Sequence, residues 1–144
     1  MARRPRSVLP PSGIYHVTSR GVARCAIVAD DEDRTLWVAL TNLTGRSFKW
    51  DWHAYCLMTN HFHLIVGSTL EALSRGMHRL NGVYAQRFNK RHGRTGHLLG
   101  DRFHAQVIRD EAHLEAASAY VRSNAARAGL CDPFSAWPWS GRAP

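Results

Sequence analysis

Residues 14–19, IYHVTS, alternate apolar and polar positions and are rich in β-branched side chains, which predicts a strand. The period then changes. Over residues 30–46, DDEDRTLWVALTNLTGR, acidic residues crowd the first turn, where they favour the positive end of a helix, and Leu36, Leu40 and Leu43 fall on one helical face. Two strands follow, Phe48–Met58 (FKWDWHAYCLM) and His61–Gly67 (HFHLIVG), with Thr59–Asn60 as the tight turn between them. A second helix is predicted from about Glu71 to Arg91, its buried stripe marked by Leu73, Met77, Leu80, Tyr84 and Phe88. The Gly- and Arg-rich loop RHGRTGHLLGDR leads into a short strand, FHAQVIR. A third helix then runs from about Asp110 to Ala128 and stops at Gly129. Its core stripe passes through Leu114, Ala117, Val121, Ala125 and Ala128, and the tail CDPFSAWPWSGRAP reads as irregular. The order β-α-β-β-α-β-α is the split βαβ, ferredoxin-like pattern: an α+β sandwich on an antiparallel sheet with an added C-terminal helix.

Composition fits this reading and adds a partner. With 144 residues, 44% apolar and 21% charged, the chain suits one globular domain over residues 14–144, preceded by a basic flexible arm, MARRPRSVLPPSG, over residues 1–13. Lys and Arg number 19 against 11 Asp and Glu, a net charge of +8, which points to polyanions and chiefly to nucleic acid. A membrane partner is disfavoured, because no apolar stretch approaches the roughly 20 residues of a spanning helix. Cys25, Cys56 and Cys131 are odd in number and form no C-x-x-C pair, so they predict a reducing, cytoplasmic setting rather than a disulfide framework. Arg87, Lys90, Arg91, Arg94 and Arg102 cluster at the end of the second helix and in the loop after it, and Arg3, Arg4 and Arg6 lie in the arm. Such residues contact phosphates, giving affinity and salt dependence without sequence choice.

The chemistry-bearing letters lie in LMTNHFHLIVG. Side chains alternate across a strand, so His61 and His63 project from one face while Phe62 and Leu64 project from the other. Two imidazoles one pleat apart can share an ion or a phosphate, and can equally be two surface histidines on an open sheet. Tyr120 and Asn124, four residues apart, stack on one stripe of the third helix beside its core stripe, and Arg127 continues their line. Tyr84 is the competing tyrosine. It sits on the apolar stripe of the second helix with Phe88 four residues on, and is assigned to packing.

In combination these segments resemble a known group. MTNHFHLIV resembles the histidine-hydrophobic-histidine motif of the HUH single-strand endonucleases. AYVRSNAARAGL looks like the tyrosine-bearing helix of the IS200/IS605-type single-tyrosine transposases. VTSRG and GRTGHLLGDRF resemble the REP-associated tyrosine transposases, and the likeness runs from about Ile14 to Trp139. It implies that His61, His63 and Asn124 bind a catalytic divalent ion, Mg²⁺ or Mn²⁺, and that Tyr120 is the nucleophile. The implied substrate is single-stranded or hairpin DNA, cut through a 5′-phosphotyrosine intermediate by a monomer or a homodimer. Arg20, in VTSRG, and Arg127 join the candidate DNA contacts. The family pattern often places Pro after the Asn; Ala125 stands there in this chain, which lets the helix continue past Asn124.

The main rival is a non-catalytic nucleic-acid-binding module of the same topology, which would offer Trp50, Trp52 and Tyr55 as an exposed stacking surface. A histidine-triad hydrolase needs a third alternating histidine, and position 65 is Ile65.

Overall fold

The structure, a computed structural model, describes residues 9–100, 102–132 and 136–144; Arg3, Arg4 and Arg6 of the predicted arm lie outside the described residues. Alternation in the first segment extends beyond IYHVTS, and β1 runs Ser12–Arg20, so Ser12 and Gly13 belong to the sheet. The remaining elements are α1 (Asp31–Ser47), β2 (Asp51–Leu57), β3 (His61–Thr69), α2 (Leu70–His92), β4 (His104–Val107), α3 (Glu111–Arg127) and β5 (Ser140–Gly141). The strand order is β4-β1-β3-β2-β5, with every neighbouring pair antiparallel. This is the expected α+β, ferredoxin-like sheet with an added C-terminal helix, and β3 lies at its centre.

Helix ends are set by side chains the sequence displays. Asp30, Thr69 and Asp110 accept from Asp33 N, Ala72 N and His113 N, so each helix begins on an Asp or Thr cap. Gly93 closes α2 in the left-handed conformation at φ 60°, where L side chains are strained. Gly129, at φ 75°, ends the turn after α3 as expected.

Two layers cover the sheet. Phe62, Leu64 and Val66 of β3, with Tyr15 and Val17 of β1, pack against Trp37 of α1 and Leu73, Met77, Leu80, Tyr84 and Phe88 of α2. Ile65 of β3, with Ala54 and Cys56 of β2, packs instead against Val121 and Ala125 of α3, with Leu114 and Ala117 beside them. β3 is therefore buried from Phe62 to Val66 without a break. Cys25, Cys56 and Cys131 are free thiols. Among the described residues no helix is long and apolar enough to cross a membrane.

Four expectations change. Ala128, expected on the core stripe of α3, is its exposed C-cap. Leu43 of α1 is 54% exposed, and the buried face runs through Asp33, Trp37, Thr41, Thr44 and Gly45. Its polar and small letters hid it: a Cβ on Gly45 would lie 2.6 Å from the Trp52 indole nitrogen, so only glycine admits that ring. β2 starts at Asp51 because Phe48 still caps α1 and Lys49 takes φ 56°, bringing Trp50 N to Gly45 O at 2.9 Å. The tail is less irregular than its composition suggests. Ser140–Gly141 pairs with Tyr55 and Cys56, and Trp137 Nε1 donates to Leu57 O at 3.0 Å.

The outer helix layer is tied by charge. Asp33, 1% exposed, accepts from Ala29 N at 2.8 Å and pairs with Arg91 Nη1 and His92 Nε2, each at 2.8 Å. Arg91 also reaches Asp30 and Glu32, and it holds the Asp30 carboxyl well below the usual carboxylate range. Asp33→Ala takes the acceptor from Ala29 N and the shared carboxylate from Arg91 and His92. It is expected to lower unfolding free energy by about 1–3 kcal/mol, read from the urea midpoint at unchanged slope. Asp31→Ala, which removes the exposed pair with Arg34 and one first-turn charge, is expected to cost less than about 1 kcal/mol.

Candidate active site on the sheet face under α3

β1 and β3 pair with Arg20 opposite His61 and Thr18 opposite His63, so these side chains share the face that α3 covers. The His61 and His63 rings are 5.0 Å apart, centroid to centroid, and nearly perpendicular at 79°. Each has one nitrogen engaged. His61 Nδ1 lies 2.7 Å from Asn60 Oδ1, which can only accept, so His61 carries its proton on Nδ1 and has a lone pair on Nε2. His63 Nδ1 lies 2.9 Å from His16 Nε2 and 3.2 Å from Thr18 Oγ1.

The imidazoles are held neutral. Burial pushes His63, 7% exposed, down to about 3, with the neighbouring His16 and His61 rings and the Arg20 and Arg127 cations adding to the effect. His61 is lowered by burial and by Arg20. Burial, with His104 and His113 nearby, takes His16 to about 4. A neutral imidazole with one nitrogen hydrogen-bonded is the form that ligates a metal.

α3 brings the other residues. The Tyr120 ring meets the His63 ring edge-on at 86°, with centroids 6.2 Å apart, and Tyr120 is 50% exposed. Two turns on, Ala128 lines a recess of about 350 Å³ together with His61, Asn60 and Arg24. Tyr120 and Asn124 lie one turn apart on the same stripe of α3, which starts beside His63. The Asn124 side-chain Nδ2 is buried with no hydrogen-bond partner. Among the described residues no group of three His, Cys, Asp or Glu side chains is gathered for a metal, so a third protein ligand there has to be of another type. An amide with an unsatisfied buried polar end suits that place, since a carboxamide can turn its oxygen to a cation. The residues therefore fit a divalent ion with open positions.

The basic residues divide. Arg127 stacks over the Tyr120 ring, its guanidinium carbon 4.1 Å from the centroid, and bonds Tyr120 O and Ser123 Oγ. Arg20 ends β1 beside His61, where Gly21 N bonds Asn60 O and Gly100 N bonds Arg20 O. A Cβ on Gly21 would lie 2.2 Å from Cys25 O, which explains the glycine of VTSRG. Arg91 faces three carboxylates, and Arg94 braces its own loop through Asn89, Gly96 and His97. Arg87 and Lys90 are exposed on α2, and exposed Arg102 lines a groove between α2 and the following loop. Tyr84 is buried, with its hydroxyl donating to Ile27 O, as a packing residue should be. Trp50 and Tyr55 are buried and Trp52 packs against the same core, so these rings offer no exposed stacking surface.

His16, Thr18 and Asn60 were not singled out from sequence. The signal for two of them was present: His16 and Thr18 occupy the polar face of IYHVTS, and antiparallel pairing sets that face beside H-x-H.

A profile of IS200-like transposases matches residues 11–124, and the chain belongs to that family. Among solved structures it is similar to a REP-associated tyrosine transposase bound to a REP hairpin, at 16% identity and a TM-score of 0.70, covering 97% of this chain and 82% of that one. It is also similar to a candidate transposase from Deinococcus radiodurans R1, at 13% identity and a TM-score of 0.54, covering 83% of this chain and 95% of that one. No curated protein sequence matches significantly.

The orphaned amide of Asn124 has a measurable consequence. A buried unpaired donor costs about 1–3 kcal/mol, and alanine is the better helix former. Asn124→Ala is expected to stabilise the chelator-treated protein by about 0.5–1 kcal/mol in urea unfolding. If the amide is a ligand, Mn²⁺ is expected to stabilise the parent protein more than the variant, which keeps His61 and His63.

Proposed function

We propose that this transposase cuts and rejoins single-stranded DNA through a covalent bond to Tyr120, using a divalent cation, Mg²⁺ or Mn²⁺, held by His61, His63 and Asn124. The observation that carries this reading is the exposed phenol of Tyr120 set edge-on to a buried, neutral His63 beside His61. A cation bound there supplies charge neutralisation at a non-bridging phosphate oxygen, worth several kcal/mol.

This chain's residues do the rest. Asn60 orients His61, and β3 fixes the spacing of both ligands. Tyr120 Oη forms a bond to phosphorus as the bond from phosphorus to the 3′ oxygen breaks; the phenol gives up its proton and the leaving oxygen takes one. A second 3′-hydroxyl reverses the step and frees Tyr120, so the energy of the phosphodiester is kept and no nucleotide triphosphate is needed. A phenol has an unperturbed pKa of about 10, so positive charge near the reacting oxygen helps its deprotonation. In this reading Arg127, stacked on the ring, orients it, and Arg20, opposite His61, meets a phosphate at that end of the site. A hairpin flanking the cleaved strand is the substrate that the likeness to the REP-associated enzyme supports.

Labelled single-stranded DNA carrying the hairpins that flank the gene is expected to form a covalent adduct with the protein in Mn²⁺. Tyr120→Phe should form none and Tyr84→Phe should retain it. His61→Ala or chelation should slow adduct formation by about a thousandfold, the equivalent of several kcal/mol. An adduct surviving in Tyr120→Phe, or none from the parent protein on any such DNA, sinks the reading.

The exposed cations give a separate expectation. Arg87→Ala and Lys90→Ala should each weaken single-strand binding and reduce the slope of log affinity against log salt by about 0.7. Binding titrations at several salt concentrations measure this directly.

A further inference from the structure

His16 has no part in the function proposed above, yet it touches the site at its most buried point. β1 and β3 pair with Thr18 opposite His63 and His16 opposite Ile65, so all four side chains share the face under α3. His16 Nε2 is 2.9 Å from His63 Nδ1, and the ring centroids are 5.1 Å apart. Thr18 Oγ1 approaches the same nitrogen at the longer distance of 3.2 Å.

Two neutral rings joined by one hydrogen bond have two ways to place the proton. If His16 Nε2 donates, His63 Nδ1 is the acceptor; the His63 proton then sits on Nε2, and that atom has no lone pair for a cation. If His63 Nδ1 donates, His16 Nε2 accepts, His16 carries its own proton on Nδ1, and His63 Nε2 is free to ligate. The second arrangement is the one a metal site requires. A threonine hydroxyl can rotate to accept or to donate, so Thr18 alone does not select it.

We propose that His16 is a positioning residue, which accepts the Nδ1 proton of His63 and so fixes the tautomer and ring orientation in which His63 Nε2 binds the divalent cation. The inference rests on the metal role given to His63 above. It carries a chemical consequence as well. The outer partner of a ligating histidine is commonly a carboxylate, whose negative charge raises the basicity of the ligand. Here it is an uncharged ring, so the outer shell leaves the positive charge of the ion undiminished for the phosphate.

The test is Mn²⁺ binding to the full chain without DNA, followed by electron paramagnetic resonance of the free ion. The proteins compared are the parent, His61→Ala, His16→Gln and His16→Leu. Glutamine places a carboxamide oxygen near the position of His16 Nε2 and can accept the same proton, so its Kd should stay within about threefold of the parent. Leucine cannot accept, and its Kd should rise about 10–100-fold. Nitrogen NMR of the metal-free proteins supplies a readout that a packing role would not move. The Nδ1-protonated form of His63 should dominate in the parent and in His16→Gln, and should give way to a tautomer mixture in His16→Leu. Unfolding midpoints in chelator should show His16→Leu folded at least as stably as the parent.

If His16→Leu binds Mn²⁺ like the parent while His61→Ala does not, the role of His16 is overturned and the metal site stands. If His16→Gln loses as much affinity as His16→Leu, hydrogen-bond acceptance is overturned. A parent protein that binds no Mn²⁺ takes down the metal reading and this inference together.

Discussion

Strand β3 is covered on both faces, and the rest of the molecule is arranged around that burial. Its even positions, Phe62, Leu64 and Val66, meet α1 and α2, while His61, His63 and Ile65 point to α3. Imidazoles placed under a helix lose water, and a buried polar group without a partner is costly. Each histidine therefore has its Nδ1 engaged, by Asn60 or by His16 and Thr18, and burial removes the charge from both. The same desolvation that makes these residues awkward in a core keeps them neutral, the form in which an imidazole can serve as the proposed ligand. Structure and chemistry come here from a single constraint: the period of two in a central strand.

The opposite layer shows how little a charge cluster says by itself. Arg87, Lys90, Arg91 and Arg94 are neighbours in sequence and look alike as phosphate contacts. In the fold, Arg91 turns back to Asp30, Glu32 and Asp33 and fastens the end of α2 to the start of α1. Arg94 donates to carbonyls of its own loop, while Arg87 and Lys90 remain exposed. The acidic first turn of α1 has two uses, favouring the helix end and holding Arg91. Nothing in the local sequence around residue 91 distinguishes these uses, because the partner carboxylates lie on another helix.

Legibility followed the range of the interactions. α2 was readable because its apolar stripe and its glycine stop are local, and β3 because alternation and the Thr59–Asn60 turn are local. α1 was readable as a helix but not in its orientation: Thr41, Thr44 and Gly45 face the core because Trp52 needs a place with no Cβ. β5 was hidden because two residues carry no periodicity and are held by the edge of β2 and by Trp137. At the site, the histidine pair, Tyr120 and Asn124 stood out by residue type and spacing. Asn60 meets its own neighbour His61, a contact that residue type alone does not announce, and the contact of His16 with His63 becomes visible only once strand register is known.

The residue after Asn124 ties these strands of argument together. Proline at position 125 would remove a backbone donor and disfavour helical geometry at Asn124. With Ala125 there, α3 continues to Arg127, and Ala125 itself is fully buried against the sheet. That continuity brings Arg127 back over the ring of Tyr120, two turns earlier, and lets its guanidinium bond the Tyr120 carbonyl. The ring is thus met on its face by a cation and edge-on by His63. A tyrosine on a helix surface ordinarily has freedom to rotate, which costs entropy whenever a reaction needs one orientation. Contacts with Arg127 and His63 restrict that rotation, which is what the proposed role of Tyr120 would need. The uninterrupted helix past Asn124 is therefore what puts a guanidinium on the Tyr120 ring.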